Sequence, residues 1–153
     1  MHVGDVRGFL WFVIYVPVLV GFCILLEHLF PGLLLIFPPL WISSLLLDLY
    51  TTWLFYRVDP GGFWVNERNV VYASLVLRFG FGVGCLLHLI LVEVSFLLVS
   101  SFLLIPLLYS FLAGRMPTLF FSSLAAMALL SSAHLQAFLV NVRFGGCSTE
   151  DSI

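Results

Sequence analysis

The sequence predicts an all-α, polytopic membrane bundle of four transmembrane helices and a fifth, more polar one. Three observations carry that expectation. Apolar residues fill 62% of the 153 positions and charged residues only 9%, whereas a soluble domain holds about 25% charge and 45–50% apolar residues. Five apolar stretches, residues 8–26, 33–56, 70–92, 96–112 and 118–140, each match the reach of a helix across a hydrocarbon core of ~30 Å. Short polar breaks rich in Pro and Gly separate them. The connections are too short to fold by themselves, so residues 1–153 read as one transmembrane domain with a polar tail over 141–153.

The first stretch contains Pro17 and carries no small-x-small cleavage site before Glu27, so it reads as a retained span rather than a removed signal. Glu27-His28-Leu29-Phe30-Pro31-Gly32 then turns the chain. In the second stretch Pro38 and Pro39 remove two backbone donors, and a kink is expected there. Trp41, Tyr50, Trp53 and Tyr56 are candidate interfacial anchors.

The longest polar connection, RVDPGGFWVNERN over residues 57–69, contains an Asp-Pro-Gly-Gly turn and then Phe63-Trp64-Val65, which suits an interface. The third stretch runs to Val92, and Glu93-Val94-Ser95 is expected to link it to the fourth, which is kinked at Pro106. Pro117 suits the first turn of the fifth. Ser122, Ser123, Ser131, Ser132, His134 and Gln136 make that last stretch the most polar. It either crosses the membrane or re-enters it.

With five crossings, Arg7, Arg57, Arg68 and Arg115 share one side, against Arg143 on the other. The positive-inside rule then places the N-terminus in the cytoplasm, or the matrix for a mitochondrial protein, and the C-terminus opposite. A faint parallel repeat relates Gly21, Cys23 and Leu25 with LIFPPLWIS to Gly84, Cys85 and Leu86 with LLIPLLYS.

Two full charges stand inside apolar stretches, Asp48 in the second and Arg78 in the third. Each costs about 2.5–3.5 kcal/mol to insert, so each calls for a partner or a purpose. Counting along antiparallel neighbours puts both about 12 Å from the same end, which predicts an intramembrane Asp48–Arg78 ion pair. The alternatives are that Arg78 snorkels or that each charge faces another subunit. Glu27, His28, His88, Glu93 and His134 fall toward the opposite side. Their types suit metal ligation, but their spacing forms no motif, and no metal is expected.

Gly80 and Gly84 in the third stretch, and Ser122 and Ala126 in the fifth, have the small-xxx-small spacing of close helix packing. No phosphate loop, nucleophile–His pair, HExxH or carboxylate dyad occurs, so neither catalytic residues nor a cofactor are expected. The three cysteines, Cys23, Cys85 and Cys147, are too few and too scattered for a disulfide framework. There is no basic patch for nucleic acid.

Leu10-Trp11-Phe12, the break at Leu26-Glu27-His28, IFPPLWISSLLL over 36–47, LVLRFGF over 75–81 and LLIPLLYSFLAG over 103–114 follow one another at intervals that resemble the transmembrane fragile-X-F family of small four-span proteins. The resemblance covers residues 8–114. It implies a four-span endomembrane protein, in the endoplasmic reticulum or a related membrane, with no catalytic residues to carry over. The fifth stretch and the tail depart from that pattern.

These features lead to the expectation of a non-catalytic membrane scaffold or accessory subunit. Its partners would be lipids and other membrane subunits, in endomembranes or in a complex of the mitochondrial inner membrane. The alternative is a small transporter or channel component that uses Asp48 and Arg78.

Overall fold

A computed structural model describes the backbone of residues 3–30, 32–61 and 70–147, and the side chains of 13–30, 32–61 and 71–142. The expected interfacial segment Phe63-Trp64-Val65 and the last residues of the tail lie outside them. The described secondary structure is helical: α1 (Val3–Leu29), a 3-10 turn (Leu33–Ile36), α2 (Phe37–Val58), α3 (Val70–Phe79), α4 (Phe81–Ala113) and α5 (Leu119–Cys147).

Three of these segments, Leu33–Val58, Phe81–Ala113 and Leu119–Val142, are long and apolar enough to cross a membrane, and Val13–Leu29 of α1 is a shorter candidate. All four expose large aliphatic or aromatic side chains, among them Val18 (64%), Leu46 (61%), Phe102 (64%) and Phe120 (64%). Apolar surface of that extent on every long helix needs lipid rather than water around it. The protein is an all-helical integral membrane protein.

The helices depart from the predicted spans in four places, each with a local cause. The third stretch is not one helix. Gly80 takes φ +79°, a conformation that favours glycine, and the chain doubles back there. α3 has 10 residues, about 15 Å, which is half the hydrocarbon thickness. It packs against the start of α4 so closely that a Cβ on Gly84 would lie 2.6 Å from Val76 Cα. Gly80 and Gly84 therefore serve a hairpin within the chain: Gly80 makes the turn, and Gly84 lets its two arms touch.

The expected link at Glu93-Val94-Ser95 is helical. α4 runs through it for 33 residues, winding as a π-helix over Leu89–Val94 and again over Ser100–Leu104. The second π segment precedes Pro106, which has no N–H to give and whose ring would crowd the preceding turn of a regular α-helix.

Pro38 and Pro39 lie in the first turn of α2, where missing donors cost little. The winding changes there from 3-10 to α. Pro17 is carried within α1. Lastly, α5 continues to Cys147, past the expected end at Val140. It starts one residue later than expected because Thr118 caps it, its Oγ1 accepting the Phe121 N–H at 3.1 Å. Gly114, at φ +66°, closes α4 by donating its N–H to Ser110.

The chain forms two compact units. The first is Met1–Pro39 with Leu97–Leu129. In it α1 packs on the C-terminal part of α4, and Val16, Val20, Cys23, Ile105, Tyr109, Phe121, Leu124 and Ala126 are buried. Ser122 and Ala126 are 1% and 0% exposed, so the small-residue face of α5 is covered by the protein itself. Tyr109 stands edge-on to Phe121 with centroids 4.9 Å apart, and its hydroxyl donates to Glu27 Oε2 at 3.3 Å.

The second unit is Leu40–Phe96 with Leu130–Ile153. The α3–α4 hairpin forms its apolar centre, with Tyr72 and Val76 buried against Phe55, Tyr56, Phe81 and Cys85.

Candidate functional site: a carboxylate–imidazole–carboxylate triad

The second unit brings three ionisable side chains from three helices into one row, Glu93 and His134 buried and Asp48 half-buried. His134 on α5 is 9% exposed and Glu93 on α4 is 6% exposed. His134 Nδ1 lies 2.9 Å from Asp48 Oδ2 of α2, and its Nε2 lies 3.2 Å from Glu93 Oε2. The first contact is a hydrogen bond. The second is close enough for an ion pair but lacks hydrogen-bond alignment, leaving His134 Nε2 and Glu93 Oε2 without a hydrogen-bond partner.

The other oxygen of Asp48 is also engaged. Asn141, two helical turns beyond His134 on α5, points Nδ2 at Asp48 Oδ1 (3.3 Å), Thr51 Oγ1 (3.3 Å) and Thr52 Oγ1 (3.1 Å). Thr51 turns its own hydroxyl back to the carbonyls of Leu47 and Asp48. The pattern follows helical periodicity: 48, 51 and 52 share one face of α2, and 134 and 141 share one face of α5.

The structure gives Asp48 a different partner from the predicted one. Arg78 lies in the last turn of α3, two residues before Gly80, at an exposed position. The equal-depth reckoning assumed that residues 70–92 cross the membrane in one direction, and the Gly80 reversal removes that premise. The reckoning that set Glu93 and His134 apart from Asp48 fails for a related reason, because α4 continues through the expected link. The residue types were visible as rare polar positions in apolar runs. Their convergence was not, since no sequence motif marks a π turn.

Proton counting defines what the triad can do. With both carboxylates ionised and the imidazole neutral, the charge is −2 and one ring nitrogen presents a lone pair to a carboxylate. One proton makes the ring an imidazolium that can donate to both sides, at net charge −1. A second proton neutralises the group. Among the described residues the ion pairs of Asp48 and Glu93 are both with His134, and no described arginine balances the remaining charge. An uncompensated charge in a low-dielectric interior is expensive.

The two carboxylates face different ring nitrogens. Among the described residues no group of three His, Cys, Asp or Glu side chains is arranged to hold a metal ion.

Fold and site together define a membrane-embedded helical protein with an intramembrane network of charged residues. Comparison with protein-family models, with curated proteins and with solved structures returns no match. The resemblance to the fragile-X-F family rests on the quoted motifs alone.

Proposed function

We propose that the protein is a small transporter or channel component in which the Asp48–His134–Glu93 triad takes up and releases a proton within the membrane. The observation that carries this reading is the buried imidazole bridging two carboxylates, with no further ion pair to either carboxylate among the described residues. Intramembrane ionisable residues in such arrangements mark proton or ion pathways. The reading requires no covalent chemistry. A scaffold built on small-residue faces is favoured less, because Ser122 and Ala126 are covered within the chain.

The same proposal includes an orientation. With α3 too short to cross, four crossings by α1, α2, α4 and α5 put Arg7, Arg57, Arg68, Arg78 and Arg143 on one side and Arg115 on the other. Both termini then face the cytoplasm or matrix. The compartment implied by the resemblance is an endomembrane such as the endoplasmic reticulum.

The test is proton entry into liposomes containing the purified protein, read by an enclosed pH-sensitive dye under a valinomycin-clamped potassium potential. Wild-type vesicles acidify faster than protein-free ones, and Asp48→Asn or Glu93→Gln brings the rate to background. Wild-type vesicles no faster than empty ones would return the scaffold reading to first place.

A further inference from the structure

At the second carboxylate oxygen of Asp48, oxygen atoms of α2 gather around the end of one amide from α5. Asn141 Nδ2 lies 3.3 Å from Asp48 Oδ1, 3.3 Å from Thr51 Oγ1 and 3.1 Å from Thr52 Oγ1. An amide nitrogen carries two hydrogens, so three acceptors share two donors. None of the three sits at the preferred N–H···O distance of about 2.9–3.0 Å. Thr51 gives its own hydroxyl hydrogen to the carbonyls of Leu47 and Asp48, so toward Asn141 it only accepts. Thr52 is buried, and Asp48, Thr51 and Asn141 are half-buried. The cluster has more acceptors than donors, an imbalance that a cation answers.

The ligand types select the cation. All are hard oxygens, which suit alkali and alkaline-earth ions rather than zinc or copper. One of them is ionised, and Asp48 already shares its charge with His134. Calcium sites gain affinity from the number of charged ligands, so a lone carboxylate fits a single positive charge better. The amide supplies a fourth oxygen. Among the described residues the side-chain hydrogen bonds of Asn141 all run through Nδ2, and half a turn of the amide exchanges Nδ2 for Oδ1. Three oxygens then surround Oδ1 at separations near the present 3.1–3.3 Å. Oxygens that hold one ion at about 2.4 Å and at right angles stand about 3.4 Å apart. Little expansion is needed to enclose an ion of that size. Among the alkali ions that is sodium; potassium is larger.

We infer that Asp48, Thr51, Thr52 and Asn141 form a binding site for a sodium-sized monovalent cation, opened by rotation of the Asn141 amide. The inference goes beyond the proton reading and stands without it, since binding is measured apart from flux. Asp48 Oδ1 binds the cation while Oδ2 stays with His134. When the imidazole is protonated, one sodium ion brings the charge of triad and cation together from −1 to 0. Without a cation, the amide N–H groups hold the same oxygens together.

The experiment is thermal unfolding of the full-length protein in a mild detergent, in sodium chloride against choline chloride at equal ionic strength. Sodium raises the wild-type melting temperature with saturation, as a ligand of the folded state does, and potassium raises it less. Thr52→Val keeps the side-chain outline without the oxygen and loses the rise, whereas Thr52→Ser keeps it. Equal wild-type melting temperatures in sodium and choline overturn the inference, and so does a full sodium response in Thr52→Val.

Should Thr52→Val fail to fold, NMR of the wild-type protein with ¹⁵N-labelled asparagine decides. The side-chain amide signal of Asn141 must shift with sodium and stay in place with choline; a signal indifferent to sodium overturns the inference. Proton flux without a sodium response removes this site and leaves the proton reading standing. A sodium response without proton flux does the reverse.

Discussion

His134 holds two carboxylates that would otherwise face each other in the interior. Removing it by His134→Ala leaves their charges unbridged, a defect that costs about 3–5 kcal/mol when a buried pair loses one partner. Combining His134→Ala with Asp48→Asn and Glu93→Gln removes the charges together with the bridge and recovers most of that loss. Thermal unfolding in a mild detergent reads both changes; a triple variant no more stable than the single one would show that His134 acts by packing alone.

The chemistry of these side chains was legible in the sequence, where Asp48, Glu93, His88 and His134 interrupt apolar runs. Their partners were not. Pairing depends on the level of each residue along its helix, and one unrecognised reversal or widened turn shifts every level beyond it. Arg78 illustrates the point: a charge counted as mid-span stands at the end of a ten-residue arm.

At the scale of elements, the α3–α4 hairpin depends on Gly84. A side chain there would collide with backbone, Val76 Cα at 2.6 Å and Val76 N at 2.7 Å, so the neighbour cannot yield by changing rotamer. Gly84→Ala is expected to cost at least the 1–3 kcal/mol typical of overpacking and to separate Tyr72 from Cys85 and His88, which its side chain contacts. Gly82, with open space around its Cβ position, is the control, since Gly82→Ala in a helix is neutral or slightly stabilising.

A cysteine-crosslinking probe at positions 72 and 88 monitors the arms directly. It loses yield in the Gly84 variant and keeps it in the Gly82 variant if the close approach sets the register. The glycines of this stretch were readable as a packing signal, but the spacing does not say which surface they meet. That surface proved to be α3.

Across the whole molecule, the polarity of the last helix has a simple origin. Leu119–Val142 encloses the largest buried share of the three long apolar helices, and Ser122, Ser131 and His134 are among the side chains it turns inward. A helix surrounded by protein can carry such groups where a lipid-facing one cannot. The helical membrane class followed from composition alone, whereas the break of the third stretch into a hairpin did not, because hydropathy does not separate a hairpin from a span.

Counting α3 as a non-crossing arm gives an orientation that single cysteines can test. Cysteines placed at Asp59 and Arg115 in a cysteine-free background are expected to react with a membrane-impermeant maleimide from opposite sides, and one at Ser152 from the same side as Asp59. Labelling of 59 with 115, and of 152 from the opposite side, would restore the five-crossing arrangement.

The length of α4 carries a further consequence. Its 33 residues rise about 50 Å, against a hydrocarbon slab of ~30 Å. Lying wholly inside that slab would demand a tilt beyond 50°, steeper than the range of 0–40° found for transmembrane helices. Part of α4 must therefore stand among the headgroups. Glu93 lies 20 residues before Ala113, about 30 Å along the axis. If Ala113 marks one boundary of the hydrocarbon, the carboxylate lies at the other, in a zone where water and hydrocarbon meet. Bilayer thickness then becomes part of the site: a thin membrane leaves the triad at the water's edge, and a thick one draws it under.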